Sequence, residues 1–245
     1  MSLRRTLLTT RRILEQLRHD PRTLALLLLV PTALMGLLAW SLTNRPGAFD
    51  SVGPKLLGVF PLIVMFLVTS VITLRERTVG TLERLFTLPL TKADFVAGYA
   101  IAFGALALVQ SVLVSVLSYS WYGLAHQGVP WRISAVALCA GLLGTAFGLA
   151  LSAVAHTEFQ AVQFMPAVVL PQILLCGLFS PRPQMTGWMR DLSDVMPLTY
   201  AVQGLQQVGL FSSPTALMWR DLGIVIGAAL LALALASVTL RRRTA

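Results

Sequence analysis

Six long runs without a charged side chain constrain this chain more than any other feature. They cover residues 24–42, 56–74, 95–121, 133–155, 162–180 and 222–240 of the 245-residue sequence. Each run is close to the roughly 20 residues that a helix needs to cross a hydrocarbon core about 30 Å thick. The sequence therefore predicts six transmembrane spans.

Neither a soluble helical core nor a β-barrel accounts for these runs. The chain is 56% hydrophobic and only 12% charged, whereas soluble domains are about 25% charged and their helices average about 12 residues. A transmembrane barrel needs strands that alternate polar and apolar residues, and these runs are continuously apolar. The sequence thus predicts an all-α polytopic membrane protein with a single transmembrane domain over residues 1–245.

The distribution of Lys and Arg predicts the topology. Six of the 19 basic residues lie in residues 1–22, four in residues 75–94 and three at 241–243, whereas the other six are scattered over the opposite segments. Basic residues accumulate on the cytoplasmic side of membrane proteins, so both termini and residues 75–94 are expected there. The net charge of +9 then reflects topology and contact with anionic lipid, and no nucleic-acid partner is expected.

The N-terminal segment, residues 1–20, places Leu3, Leu7, Leu14 and Leu17 on one helical face and most of its arginines elsewhere. This pattern is typical of a helix that lies in the plane of the membrane interface. The alternative is a basic flanking tail without a fixed fold.

Within the spans, Gly144 and Gly148 form a small-xxx-small pair that lets helices approach closely, either within the chain or between two copies. Three side chains at depth are strongly polar, and we expect them to form hydrogen bonds between helices: Gln110, Gln163 and Gln172. The absence of charged groups at depth argues against an ion-coupled carrier.

The segment between the last two spans, residues 181–220, is too long for a simple connection and too apolar for a free linker. Trp188 and Leu192 recur at helical spacing, Pro197 interrupts the pattern, and it restarts at Leu198. The sequence predicts two short helices that fold back against the outer mouth of the bundle. A lid lying on the lipid surface is the alternative.

The segment of residues 75–94 interrupts the apolar pattern with "RERTVGTLERLFTLPLTKAD". Gly80 can begin a short helix that Pro89 ends, and Thr91 with Asp94 forms a predicted capping box for the third span. A helix of two turns is not stable alone in water, so its apolar face needs a partner. We expect a docking helix for a cytoplasmic protein, with a helix lying flat in lipid as the alternative.

Two motifs, "RERTVGTLERLFTLPLTKADF" and "MPLTYAVQGLQQV", resemble the membrane permease subunit of ABC exporters of the ABC-2 class, in particular the branch associated with bacterial drug resistance. The resemblance extends over nearly the whole chain. It implies that the helix between spans two and three is a coupling helix that inserts into the ATPase subunit.

The residues expected to couple to the ATPase are Arg75, Glu76, Arg77, Gly80, Thr81, Leu82, Glu83, Arg84, Leu85, Phe86 and Pro89. The residues expected to form an outside gate or lid are Pro181, Trp188, Pro197, Thr199 and Tyr200.

The resemblance also implies the partners: two cytoplasmic ABC ATPase subunits that hold ATP and Mg, and a second permease, identical or homologous, in the bacterial plasma membrane. The chain lacks the G-x-x-x-x-G-K-[ST] loop that cradles phosphates, and we expect no cofactor, metal or catalytic residue. Ser152, His156 and Glu158 lie near one another in sequence but match no catalytic or metal-binding motif. A non-transporting anchor, assembly or immunity subunit is the alternative function.

Overall fold

Helices account for all the regular structure in the described part of the chain. The structure, a computed structural model, describes residues 2–78, 91–125 and 129–239. Within these ranges there are nine α-helices, one short 3₁₀ turn and no strand. The helices are α1 (Leu3–Arg18), α2 (Pro21–Ser41), α3 (Ala48–Thr78), α4 (Lys92–Ser120), α5 (Pro130–Ser152), α6 (Glu158–Leu175), α7 (Gly187–Val195), α8 (Pro197–Leu210) and α9 (Ala216–Thr239).

Six of these helices, α2 to α6 and α9, are long and apolar enough to cross a membrane. The prediction of an all-α polytopic membrane protein with six spans is therefore confirmed. The two short helices predicted between the last two spans are also present, as α7 and α8. The predicted coupling helix from Gly80 to Pro89 lies outside the described residues.

The helix bounds differ most from the predicted spans in α3 and α6. The second span was expected at residues 56–74, but α3 begins at Ala48 and continues to Thr78. Hydropathy identifies only the apolar part of a helix, whereas the helix itself continues through the charged residues on either side. The fifth span was expected to reach residue 180, but α6 ends at Leu175, and Gly177 adopts a positive φ of 88° in the turn that follows.

The tightest helix contact is between α3 and α5. A Cβ atom added at Gly144 would overlap the carbonyl oxygen of Leu62, and one at Gly148 would lie 2.7 Å from the carbonyl oxygen of Phe66. The small-xxx-small pair therefore brings two backbones of the same chain together.

The three glutamines predicted to bond between helices behave differently from one another. The Oε1 atom of Gln172 accepts a hydrogen bond from the backbone N–H of Leu198 at the start of α8, at 3.3 Å, so this prediction is confirmed. Gln110 is fully buried, but neither of its polar atoms has a partner among the described residues. Gln163 lies on the exposed face of α6. The prediction is wrong for Gln110, because its polar atoms lie among the packed helices without reaching a partner.

The two ends of the bundle differ in composition. One end of the bundle contains α1, the last turns of α3 and α5 and the first turns of α2, α4 and α6. It carries most of the basic residues in the described ranges, and we call it the basic end. At the other end, two hydrogen bonds connect segments that are distant in sequence. Ala125 N–H donates to Asp50 Oδ1 and Arg132 Nη1 donates to the carbonyl of Ser212, both at 2.8 Å. We call it the tryptophan end, because Trp40, Trp121, Trp131 and Trp219 lie at its helix termini.

The first turn of α4 has the predicted capping box. Thr91 Oγ1 accepts a hydrogen bond from Asp94 N–H at 3.1 Å, and Asp94 Oδ2 accepts one from Thr91 N–H at 3.2 Å. The other carboxylate oxygen, Asp94 Oδ1, accepts a hydrogen bond from the backbone N–H of Ser2 at 2.8 Å. One aspartate therefore caps α4 and holds the start of α1 beside it.

We expect Thr91→Ala to lower the free energy of unfolding by about 1 kcal/mol, because the variant removes the side-chain acceptor of the cap. Thr91→Ser keeps the oxygen and should unfold like the parent protein. Thermal unfolding of both variants in a mild detergent checks this prediction. Equal stability of the alanine and serine variants would show that the cap contributes nothing.

Candidate coupling site at the basic end

The last turn of α3 sends three consecutive charged side chains toward three different sides of the bundle. Arg75, Glu76 and Arg77 are the first three residues of the motif predicted to couple to the ATPase. Together they contact α1, α4, α5 and α6. We call this set of contacts the α3 clamp.

Glu76 ties α3 to α1 and α4. Its side chain is only 10% exposed, and Oε2 accepts a hydrogen bond from Arg12 Nη2 at 2.9 Å. The hydroxyl of Tyr99 donates a hydrogen bond to the same carboxylate oxygen and accepts one from Arg12 at 3.1 Å. Because each of the three groups contacts the other two, a shift of any one helix disturbs both remaining contacts.

Tyr99 is fully buried and held by its neighbours on α4. Its ring lies between those of Phe95 and Phe103, with centroid distances of 4.2 Å and 6.1 Å. Such aromatic contacts restrict the ring. The position of the hydroxyl beside Glu76 is thus fixed by the packing of α4.

The two arginines connect α3 to the end of α5 and the start of α6. Arg75 makes a bidentate contact with Glu158 in the first turn of α6, Nε to Oε1 at 3.0 Å and Nη2 to Oε2 at 3.3 Å. Arg77 donates a hydrogen bond to the backbone carbonyl of Ser152, the last residue of α5. That carbonyl has no partner within its own helix, so Arg77 satisfies the C-terminus of α5.

The helix α1 packs against α4 through threonines. Thr6, Thr9 and Thr10 are buried, and Thr10 Oγ1 donates a hydrogen bond to the carbonyl of Gly98 at 3.1 Å. A Cβ atom at Gly98 would lie 2.7 Å from Thr9, so glycine is what allows the close approach. Of the leucines predicted to share a face in the membrane interface, Leu3 and Leu7 are more than half exposed, as expected there, whereas Leu17 is buried in the bundle.

Asp20 begins α2 beside this site. Its carboxylate accepts hydrogen bonds from the hydroxyl of Thr23 at 2.6 Å and from the backbone N–H of Thr23 at 3.2 Å. These two hydrogen bonds lower the pKa of Asp20, and the positive charge of Arg75 lowers it slightly further. Asp20 is therefore ionised at neutral pH and adds a second negative charge near Arg75.

The structure accounts for only part of the predicted coupling set. Arg75, Glu76 and Arg77 make the contacts described above within the chain. The other predicted residues lie outside the described ranges: Gly80, Thr81, Leu82, Glu83, Arg84, Leu85, Phe86 and Pro89. Sequence reasoning missed Arg12, Tyr99 and the carbonyl of Ser152, because nothing in the local sequence connects them to residues 75–77.

The residues predicted to form an outside gate or lid differ in their burial and in their contacts. Thr199 is buried with its Oγ1 atom 3.3 Å from Ser193 Oγ, and the hydroxyl of Tyr200 donates to the carbonyl of Asp194 at 2.7 Å. Both hold α7 against α8. Pro197 is the first residue of α8, whereas Pro181 and Trp188 are exposed.

No metal centre stands out in the described ranges. Those residues include no group of three or more His, Cys, Asp or Glu side chains placed to hold a metal ion. Ser152, considered with His156 from the sequence, is buried and its hydroxyl donates to the carbonyl of Leu149 at 2.8 Å.

Comparison with known proteins identifies the family. The family model of the ABC-2 type transporter matches residues 5–210. The chain is similar to the probable multidrug ABC transporter permease YbhR of Escherichia coli (28% identical over 169 residues, 69% of this chain and 46% of the relative). It is also similar to the probable multidrug ABC transporter permease YbhS of the same organism (26% identical, 78% of this chain and 51% of the relative).

A third relative is the linearmycin resistance permease protein LnrN of Bacillus subtilis, 24% identical over 55% of this chain and 35% of the relative. The chain spans about half or less of the length of these relatives. The family model, however, covers most of this chain. The chain therefore belongs to the ABC-2 type transporter family.

Proposed function

We propose that this chain is the transmembrane permease subunit of an ATP-driven exporter. The observation that carries the proposal is the α3 clamp, in which the first three residues of the coupling motif tie the end of α3 to four other helices. A force applied to residues 79–90 would reach α3 at Thr78. The permease names of YbhR, YbhS and LnrN support the same function.

The proposed partners follow from the family. Two cytoplasmic ABC ATPase subunits would bind and hydrolyse ATP with Mg, while this chain binds no cofactor and catalyses no reaction. A second permease, identical or homologous, would complete the membrane part. The excess of Lys and Arg at the basic end supports a cytoplasmic position for that end and for both termini, in the plasma membrane of a bacterium.

The α3 clamp provides a mechanical route for coupling. Closure of the ATPases would push on the segment after Thr78, and α3 cannot move at that end without pulling on Arg12, Tyr99, Glu158 and Ser152. The helices of one permease would then move as a unit relative to the second permease. A central cavity between the two would open toward the outside.

The proposed cargo is amphipathic or hydrophobic: a drug, a lipid or a glycolipid. Each of the six apolar runs lacks charged residues, so a cavity lined by these helices would not attract a charged, strongly hydrated solute. The printed names of the relatives, two multidrug permeases and one linearmycin resistance permease, point to the same class of compound.

Charge reversal in the predicted coupling motif tests this function. We expect the double variant Glu83→Arg with Arg84→Glu, studied together with its ATPase, to lose ATP-dependent export while the permease remains folded in the membrane. Transport in proteoliposomes and ATP hydrolysis are measured on the same sample. The matched control reverses an exposed ion pair on α1, Arg11→Glu with Glu15→Arg, whose parent side chains lie 2.7 Å apart.

Three results would contradict the proposal. Normal export by the Glu83 and Arg84 double variant at normal abundance would remove the coupling role. An ATPase that co-purifies with the chain but whose turnover does not respond to hydrophobic compounds would favour the non-transporting anchor. Export driven by a proton gradient without ATP would favour a secondary carrier.

A further inference from the structure

Gln110 lies near the middle of α4, and its amide group has no protein partner. The side chain is fully buried, and neither Oε1 nor Nε2 reaches a hydrogen-bonding atom in the described part of the chain. Ten residues of α4, about 15 Å of helix, separate Gln110 from Ser120 at the tryptophan end. Buried polar groups that find no protein partner are commonly bound by ordered water.

Two serine hydroxyls continue the buried face of α4 toward the tryptophan end. Ser115 and Ser118 are buried, and the Oγ atom of each lacks a partner among residues 2–78, 91–125 and 129–239. A serine in a helix commonly donates to a carbonyl one turn earlier, as Ser111 does to Ala107 at 2.6 Å. Because Ser115 and Ser118 do not, their hydroxyls remain able to bind another group.

An unpartnered carboxylate oxygen lies on α9, which packs against α4. Asp221 is fully buried; its Oδ1 accepts hydrogen bonds from Arg220, whereas Oδ2 has no partner within the described ranges. Met218 and Leu222, on either side of Asp221, pack in the same apolar cluster as Val114 of α4. The Arg220 side chain is 55% exposed. Asp221 therefore lies between the protein surface and the buried face of α4.

Prolines in two neighbouring helices add backbone acceptors. Pro31 of α2 and Pro61 of α3 have no N–H, so the carbonyls of Leu27 and Leu57 lack the donor that the helical ladder would supply. Both helices pack against α4. Leu27 and Leu57 belong to the two apolar clusters that contain the α4 residues one turn before and one turn after Gln110. The buried amide thus has acceptors without a regular donor in the helices around it.

We propose that ordered water binds along the buried face of α4, from Asp221 and Ser118 at the tryptophan end to Gln110 near the middle of the bundle. Ser118 and Gln110 are eight residues apart, which is about 12 Å along the helix. A row of about four waters at hydrogen-bonding distance, ~2.8 Å, covers that length. Each water donates to and accepts from the unpaired groups beside it, so the buried polar atoms obtain partners without a direct contact between helices.

Water fits these groups better than an ion or a cargo molecule does. The set contains one carboxylate, that of Asp221, and Arg220 already pairs with it. The described residues contain no group of three or more His, Cys, Asp or Glu side chains that could hold a metal ion. Gln110, Ser115 and Ser118 are each at most 1% exposed, which is too enclosed for cargo. A buried water makes about three hydrogen bonds, as donor and acceptor alike, and so suits an amide and a hydroxyl equally.

Water-edited solid-state NMR tests the proposal on the full chain in liposomes of phosphatidylcholine and phosphatidylglycerol. Polarisation is transferred from water protons to the side-chain Nε2 of each labelled glutamine, and each amide is assigned through the backbone of its own residue. Gln172 is the matched control, because it is equally buried but has protein partners: Nε2 donates to the carbonyl of Val168 at 3.1 Å, and Oε1 accepts from Leu198 N–H.

We expect the signal of Gln110 at short transfer times to be several-fold stronger than that of Gln172. Equal, weak signals from the two amides would show that the interior beside Gln110 is dry and would overturn the proposal. The double variant Ser115→Ala with Ser118→Ala should weaken the Gln110 signal, whereas Ser111→Ala, whose hydroxyl is bonded within its own helix, should not. An undiminished signal in the double variant would refute a row of water along α4.

Thermal unfolding of Gln110→Leu in detergent gives a second, independent readout. If the amide had no partner at all, its removal would raise the unfolding temperature, because an unpaired buried polar group is destabilising. We expect no rise, since the bound water already satisfies the amide. A clear rise would contradict the proposal. These measurements require neither an ATPase nor cargo, so they are separate from the test of the proposed function.

Discussion

Gly144→Ala should lower the free energy of unfolding by about 1 to 3 kcal/mol, the cost typical of an overpacked core contact. The added Cβ atom would overlap the carbonyl oxygen of Leu62 and lie 2.9 Å from the carbonyl carbon and Cα of the same residue. All three atoms belong to the backbone of α3, so no side-chain rotation relieves the clash. The two helices would have to separate along their most extensive contact.

Gly227→Ala is the control for this prediction. A Cβ atom at Gly227 would have no neighbour within 4 Å, and alanine is favoured over glycine in a helix by about 1 kcal/mol. The control should therefore be neutral or slightly stabilising in the same thermal unfolding experiment in detergent. If Gly144→Ala unfolds at the temperature of the control, α3 and α5 do not approach as closely as the structure shows.

Glu76→Ala should be the most damaging single change at the basic end. It removes the carboxylate that accepts hydrogen bonds from Arg12 and Tyr99, and it leaves an arginine without its partner in a largely buried position. Loss of one member of a fully buried ion pair costs about 3 to 5 kcal/mol. Because the Arg12 side chain is 29% exposed and solvent screens part of its charge, we expect a smaller loss of about 2 kcal/mol.

A double-mutant cycle separates the interaction from the loss of packing. The single variants Glu76→Ala and Arg12→Ala and their combination should give a coupling energy of about 1 to 2 kcal/mol in unfolding experiments, since residues in direct contact are not additive. Arg11→Ala, one residue away on α1, removes only an exposed ion pair with Glu15 and should unfold like the parent protein. Strict additivity of the Arg12 and Glu76 variants would refute the α3 clamp.

The features that the sequence could predict are those that depend on local patterns. The hydropathy pattern predicted the six spans, because runs of about 20 apolar residues are typical of membrane-spanning helices. The capping box of Thr91 and Asp94 followed from a spacing of three residues. The interruption at Pro197 separated α7 from α8, since proline lacks the N–H that would continue the first helix.

The features that it could not predict depend on residues far apart in the chain. Arg12 and Glu76 are 64 residues apart, and Arg75 and Glu158 are 83 apart, so no local rule pairs them. The leucines of α1 were predicted to share one face of a helix lying in the membrane interface, and the packing of its threonines against α4 was not predicted. The spacing of Thr6, Thr9, Thr10 and Ile13 follows the helical repeat and could have indicated this face, but threonine is not counted as apolar.

The length of α3 has a geometric consequence for the proposed export mechanism. Its 31 residues make a rod about 46 Å long at 1.5 Å per residue, against a hydrocarbon core of about 30 Å. The rod therefore projects beyond the hydrocarbon, and a tilt of about 10° around one terminus would swing the opposite tip by about 8 Å, given that length. A small tilt of α3 would thus produce a large displacement of its end at the membrane surface.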